Sequence, residues 1–224
     1  MTQSHSAVAP YDRGSIFRAA ENYRSRNKIR KAIREYEKIL SVDARDIEVH
    51  AKIAPLYIRA GRKIQAKASL AQVIARYEKQ GFVEKAIASL RLALTLERRD
   101  LPMRMHLVDL YLDKSHVRDA LKVLYEARKA FRGKKHLKQA MAVEDRILSL
   151  APDDFHAQVS LIRLMGKAGK RQQMILKLGH MEKQWAQKGN RQNWRKTRWL
   201  ACRFTPSVTT GWGYMISLFT APAP

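Results

Sequence analysis

The sequence predicts an all-α, right-handed α-solenoid of stacked helix hairpins, about 10–11 helices organised in three-helix units of 54 residues. Three observations carry that prediction. Aliphatic residues and alanine dominate a chain of 224 residues that has only 10 glycines and 7 prolines. Anchor residues, alanine at five of six places, recur at a fixed step: Ala32, Ala86 and Ala140 lie 54 apart, and so do Ala66, Ala120 and Met174. The glycines keep the same time, because Gly61 and Gly169 differ by 108 and so do Gly81 and Gly189. Like side chains that return at a fixed interval are the signature of a repeat architecture.

Within a unit the anchors alternate by 34 and 20 residues, as from Ala32 to Ala66 and from Ala66 to Ala86. A step of 34 accommodates two helices and two turns. A step of 20 is too short for a new helix pair, so one long helix must serve two successive hairpins. The expected helices are 13–26, 30–42, 47–60, 63–79, 83–97, 101–114, 117–132, 136–150, 155–168, 171–187 and an eleventh from 190. A bulky residue stands four before each turn: Tyr23, Tyr57, Tyr77, Tyr111, Phe131, Met165 and Trp185. The turn residues are Asn27, Gly61, Gly81, Ser115, Lys135, Gly169 and Gly189, and glycine or asparagine there takes positive φ after a helix end. The small anchor follows five residues later, where two helix backbones approach. Pro152 with Asp153, and Asp43 after Val42, stop the helices that precede them. Pro55 lies inside the third helix, removes a hydrogen bond to the Ala51 carbonyl, and predicts a kink or a carbonyl facing a partner.

The motif Tyr57, Gly61, Ala66, Leu70, Val73 resembles a tetratricopeptide repeat, as do Tyr111, Ala120, Leu124, Ala127 and the second half Ala140, Ile147, Pro152. The resemblance covers roughly residues 13–193. It implies an interaction scaffold that presents a groove of stacked helix faces to a protein or peptide. The tryptophan usual near the start of the first helix is replaced by Ile16, His50 and Arg104. Some members of the family clamp a chaperone's terminal carboxylate with lysine, asparagine and arginine. The matching positions here hold Phe17, Glu21, Lys52, Pro102 and His106, so that activity does not carry over.

Composition narrows the partners. There are 44 lysines and arginines against 20 aspartates and glutamates, a formal charge of +24. Such a field attracts acidic proteins, nucleic acid and anionic surfaces. The single cysteine, Cys202, leaves no disulfide framework. Met1 to Phe17 lacks the apolar core of a secretory signal, and no apolar run reaches the roughly 18 residues of a membrane span. A cytoplasmic location is expected. No histidine pairs with another at i+3 or i+4, and no phosphate loop or nucleophile elbow is present. Neither enzyme activity nor a metal or cofactor is expected.

Positive charge concentrates late. Between Phe155 and Phe204 there are twelve basic residues and one acidic residue, Glu182. All four tryptophans, Trp185, Trp194, Trp199 and Trp212, follow residue 184. The candidate partner-binding residues are Arg163, Lys167, Lys170, Arg171, Lys177, Arg195, Lys196 and Arg198. Three regions are therefore expected: a disordered 1–12, a solenoid over 13–193, and an irregular 194–224 that is basic and aromatic, then apolar. At 194 a tryptophan stands in the place of a small anchor. The uncharged stretch from Thr205 reads as an apolar cap, a disordered end or a change of reading frame near 193. The expected function is a protein-binding scaffold with an acidic partner. The alternatives are nucleic-acid binding through the basic C-terminal helices, and a structural subunit of a larger assembly. Oligomeric state stays open.

Overall fold

The computed structural model describes residues 11–204, which form eleven α-helices and no strand among the described residues. They are α1 (Arg13–Ser25), α2 (Ile29–Val42), α3 (Ile47–Arg59), α4 (Lys63–Lys79), α5 (Val83–Leu96), α6 (Leu101–Asp113), α7 (Val117–Ala130), α8 (Leu137–Leu150), α9 (Phe155–Lys167), α10 (Arg171–Gln187) and α11 (Arg191–Phe204). The 54-residue step is visible in the helix starts. α3, α6 and α9 begin at 47, 101 and 155; α4, α7 and α10 at 63, 117 and 171; α5, α8 and α11 at 83, 137 and 191. No described helix is long and apolar enough to cross a membrane.

The chain divides into two compact units, Met1–Leu110 and Tyr111–Pro224. In the first, α1 pairs with α2, and α4 packs against both α3 and α5, the double duty that the 20-residue step demanded. The core of this unit includes Ala20, Ala32, Ile33, Tyr36, Ile39, Val49, Ile53 and Ala66. Ala32 and Ala66 are fully buried, which is why nothing larger stands there. In the second unit α8 packs on α7 and α9, and α10 on α9 and α11. Its core gathers Ile162, Met174, Leu178, Met181, Trp185, Trp194, Leu200 and Ala201. Each fully buried aliphatic side chain contributes roughly 1.5–3 kcal/mol through removal from water.

Six hairpin turns share one geometry. The residue after a helix end takes positive φ: Asn27 at 57°, Gly61 at 73°, Gly81 at 72°, Ser115 at 59°, Gly169 at 72° and Gly189 at 64°. The next amide then donates back to the carbonyl of the bulky residue. Lys28 reaches Tyr23 at 2.9 Å, Arg62 reaches Tyr57 at 2.9 Å, Phe82 reaches Tyr77 at 2.8 Å, and His116 reaches Tyr111 at 2.8 Å. Lys170 to Met165 and Asn190 to Trp185 repeat it at 3.0 and 3.1 Å. This is the Schellman closure, in which a left-handed residue lets two orphan carbonyls find donors. The side chains flanking it also meet, as the rings of Tyr77 and Phe82 do at 6.3 Å and those of Tyr111 and His116 at 6.5 Å.

The seventh turn corrects the expectation at Lys135. There Gly133 takes φ 123° and ψ 161°, and a 3-10 turn Lys134–His136 leads into α8. That backbone conformation is essentially open to glycine alone, so the reversal falls on Gly133, two residues before the repeat position. The extra turn returns the chain to register at Leu137, and His136 still meets Phe131 edge to face at 5.9 Å.

A second correction concerns the boundary at 193. The chain does not become irregular at 194: α11 continues to Phe204. Trp194 occupies the anchor position and is buried, at 6% exposure, among Thr197, Leu200 and Ala201 of the same face. In place of the alanine of earlier units, Trp194 joins a core that contains Met174, Met181 and Trp185. The expected disorder of 1–12 and the apolar stretch from 205 fall outside the described residues, apart from Tyr11 and Asp12. Asp12 caps α1 by accepting from the Gly14 amide at 2.9 Å. α3 runs unbroken through Pro55.

The connections without a glycine turn follow another rule. Asp46, Asp100 and Asp154, again 54 apart, cap α3, α6 and α9 by accepting from the amides of Val49, Met103 and Ala157 at 3.1, 2.9 and 2.9 Å. An aspartate in this position satisfies an N-terminal amide that the helix itself leaves unpaired.

Candidate functional site

Two of the positions lacking the usual tryptophan, His50 and Arg104, carry polar ties, and Gln158 repeats them one unit further on. His50, Arg104 and Gln158 are 54 apart, and all three are buried polar side chains. His50 Nε2 meets the Ala44 carbonyl at 3.0 Å, Arg104 donates to the Arg98 carbonyl at 2.9 and 3.1 Å, and Gln158 Nε2 donates to the Pro152 carbonyl at 2.8 Å. Each ties its helix to the connection that precedes it. The second partner differs from unit to unit. Ser69 contacts His50 Nδ1 at 3.1 Å, whereas Gln158 Oε1 accepts from Trp185 Nε1 at 2.9 Å. These are scaffold contacts, with both polar ends satisfied as burial requires.

The second unit holds another buried group. Glu144 is almost inaccessible, accepting from Arg128 Nη2 at 2.6 Å and Nε at 3.1 Å and from Ser160 Oγ at 2.7 Å. Arg128 also lies 3.9 Å from Asp154, which accepts from Tyr125 Oη at 3.0 Å. Burial, together with that bond to Asp154, holds the Tyr125 phenol above its ordinary range. This network joins α7, α8 and α9, with Glu144 buried and Tyr125, Arg128, Asp154 and Ser160 partly exposed around it.

The surface that remains open lies between α9 and α11. On α11 the buried stripe is Trp194, Thr197, Leu200 and Ala201, so Arg195, Trp199 and Arg203, four residues apart, project from the opposite side. On α9 the buried residues are Ala157, Gln158, Leu161 and Ile162, leaving Arg163 and Lys167 exposed one turn apart. Arg163, Gly166, Lys167, Trp199, Leu200, Arg203 and Phe204 line a cavity of about 360 Å³. Trp199 is 51% exposed there, an unusual condition for so large an apolar side chain. The Arg203 guanidinium lies over its ring, 5.5 Å from the centroid. No carboxylate among the described residues lines the cavity. A side chain at Gly166 would sit 3.3 Å from Met174 Sδ and 3.7 Å from Phe204, so glycine keeps that wall flush.

Of the candidate basic residues, Arg163 and Lys167 therefore share this cavity, and Arg195 flanks it on α11. Lys170 and Arg171 stand at the start of α10, and Lys177 is half-buried in its middle. Lys196 reaches the Phe155 ring at 5.8 Å. Arg198 turns inward, 4.9 Å from the Trp194 ring centroid and 3.3 Å from Glu182, the one carboxylate of this region. Sequence reasoning misses Trp199 and Arg203 as members of the site. Their signal lies in the spacing of Arg195, Trp199 and Arg203, which places them on the face opposite the apolar stripe.

The fold defines the class of protein. Alternate helices α1 and α3, α2 and α4, and α8 and α10 begin 34 residues apart, the spacing of a tetratricopeptide hairpin. The chain is an all-α helical repeat whose hairpins keep that spacing. No protein-family model and no curated protein sequence matches it. Among solved structures it is similar to the MamA protein, at 16% identity over 74% of this chain and 87% of that one, with a TM-score of 0.32. It is similar to TTC0263, a thermophilic tetratricopeptide repeat protein of Thermus thermophilus, at 16% identity over 69% and 99%, TM-score 0.29. It is also similar to the apo form of RapI, at 12% identity over 94% and 82%, TM-score 0.46.

Proposed function

We propose that this protein is a docking scaffold that takes a protein or peptide partner on the face shared by α9 and α11. The observation that carries the reading is Trp199, half exposed in a cavity large enough for one side chain. A repeat scaffold holds its helices through nearest-neighbour packing, so a surface aromatic is not needed for stability. A half-exposed tryptophan beside arginine is the composition of an interaction hot spot. The reading makes no use of catalysis. Panning a random peptide display library on the full chain tests it. Related sequences should be enriched on the wild-type protein and lost on Trp199→Ala. Failure to enrich any related set, with the protein folded by circular dichroism, would count against docking.

A further inference from the structure

We propose that the α9–α11 cavity selects an acidic linear segment, one apolar side chain entering beside Trp199, Leu200 and Phe204 while flanking carboxylates engage Arg163, Lys167 and Arg203. The inference rests on the docking reading above and adds the chemistry of the partner. Three features argue for it. Among the described residues the cavity has apolar walls in Trp199, Leu200 and Phe204 and a rim of three cations with no carboxylate. Arg163 and Lys167 form no ion pair with any described residue, so their charges face solvent unneutralised, whereas Arg198 and Lys188 of the same unit are paired with Glu182 and Asp153. Arg203, held over the indole, keeps the in-plane donors of its guanidinium for an acceptor beyond the ring.

The same observations weigh against the other candidates. A second copy of a chain carrying +24 would bring like charge to like charge, which opposes association. Single-stranded nucleic acid binds by stacking bases on open aromatic faces, and here the Arg203 guanidinium lies over one face of the indole, 5.5 Å from its centroid. A short acidic segment with one anchoring side chain satisfies both the recess and its rim.

Fluorescence anisotropy on the full 224-residue chain tests this with four labelled probes. The first is Gly-Ser-Asp-Glu-Phe-Glu-Asp-Ser-Gly. The second replaces Phe by Ala, the third replaces every acid by Lys, and the fourth is a single-stranded oligo-dT. The first probe should bind at least tenfold tighter than the second and third. Trp199→Ala and the double variant Arg163→Glu with Lys167→Glu should each weaken it at least tenfold. Lys122→Glu, on α7 and outside the cavity, should change it less than twofold. If the Lys probe binds as well as the acidic one and Trp199→Ala abolishes both, docking survives and the acidic inference is overturned. If Phe→Ala is without effect, the anchored mode is overturned. If only oligo-dT binds, and Trp199→Ala abolishes that binding, both the inference and the docking reading fail.

Discussion

Gln158 donates to the carbonyl of Pro152 at 2.8 Å and, with its other atom, accepts from Trp185 at 2.9 Å, so one amide joins a connection, α9 and α10. Arg104 with Arg98, and His50 with Ala44, make the corresponding tie one and two repeats earlier. Three chemically unlike residues thus do one job, because the connection's carbonyl needs only a donor at the right height. Gln158→Leu leaves the Pro152 carbonyl and the Trp185 indole N–H with fewer partners. It should destabilise the protein by about 1–3 kcal/mol, the cost of unsatisfied buried polar groups. Urea denaturation followed by circular dichroism measures it, and a loss below experimental error would show that solvent replaces the tie.

Turn geometry gives a prediction of opposite sign at two positions. Gly81 has a positive φ of 72° and no atom within 4 Å of the place a Cβ would take. Gly81→Ala therefore meets backbone strain without steric contact and should cost about 1–2 kcal/mol. Ser115 sustains φ 59° with a side chain. Ser115→Gly should stabilise by a few tenths to about 1 kcal/mol, because the strain is relieved while some unfolded-state entropy is added. Thermal melts of the two variants should shift in opposite directions.

The buried carboxylate of Glu144 depends on Arg128. Removing the arginine in Arg128→Ala leaves a side chain that is 2% exposed with only Ser160 as a donor. A loss of about 3–5 kcal/mol is expected. The double variant Arg128→Met with Glu144→Met removes the stranded charge and should recover a large part of that loss. Equal stability of the single and double variants would contradict this account.

Acid titration should expose the cap of α3. Burial works against ionisation of Asp46, but hydrogen bonds from the Arg13 side chain at 2.7 Å and the Val49 amide hold its carboxyl below the ordinary 3.8. A carboxylate whose folded-state value is depressed adds stability above its unfolded-state value and loses it as pH falls through the folded one. Asp46→Ala should cost about 1–2 kcal/mol at pH 7. The difference from wild type should hold steady down to about pH 4 and shrink below it. A difference that grows on acidification would contradict the assignment.

The recurrence of Ala32, Ala66 and Ala86 was readable without coordinates, and so were six of the seven turns. Both are local: an anchor responds to close helix approach, and a positive-φ residue closes a turn within six residues of its own chain. Gly133 escaped because the repeat pointed to Lys135, while the glycine two positions earlier supplied a conformation that no side chain permits. The eleventh helix from 190 was readable, but the fit of Trp194 at the anchor position was not, because its burial depends on Met174, Met181 and Trp185, residues on another helix.

What the amino-acid order determined alone was therefore the periodic part: helix count, hairpin spacing, turn positions and the dense positive charge of the last three described helices. Tertiary structure decided which polar residues are internal ties and which basic residues remain open. His50, Arg104 and Gln158 are buried because the preceding connection folds over them. Arg198 and Trp199 are neighbours in sequence, yet one turns inward to Glu182 and the other outward to the cavity. A helix's own pattern sets which residues share a side, but only the helices packed around it determine which side is buried.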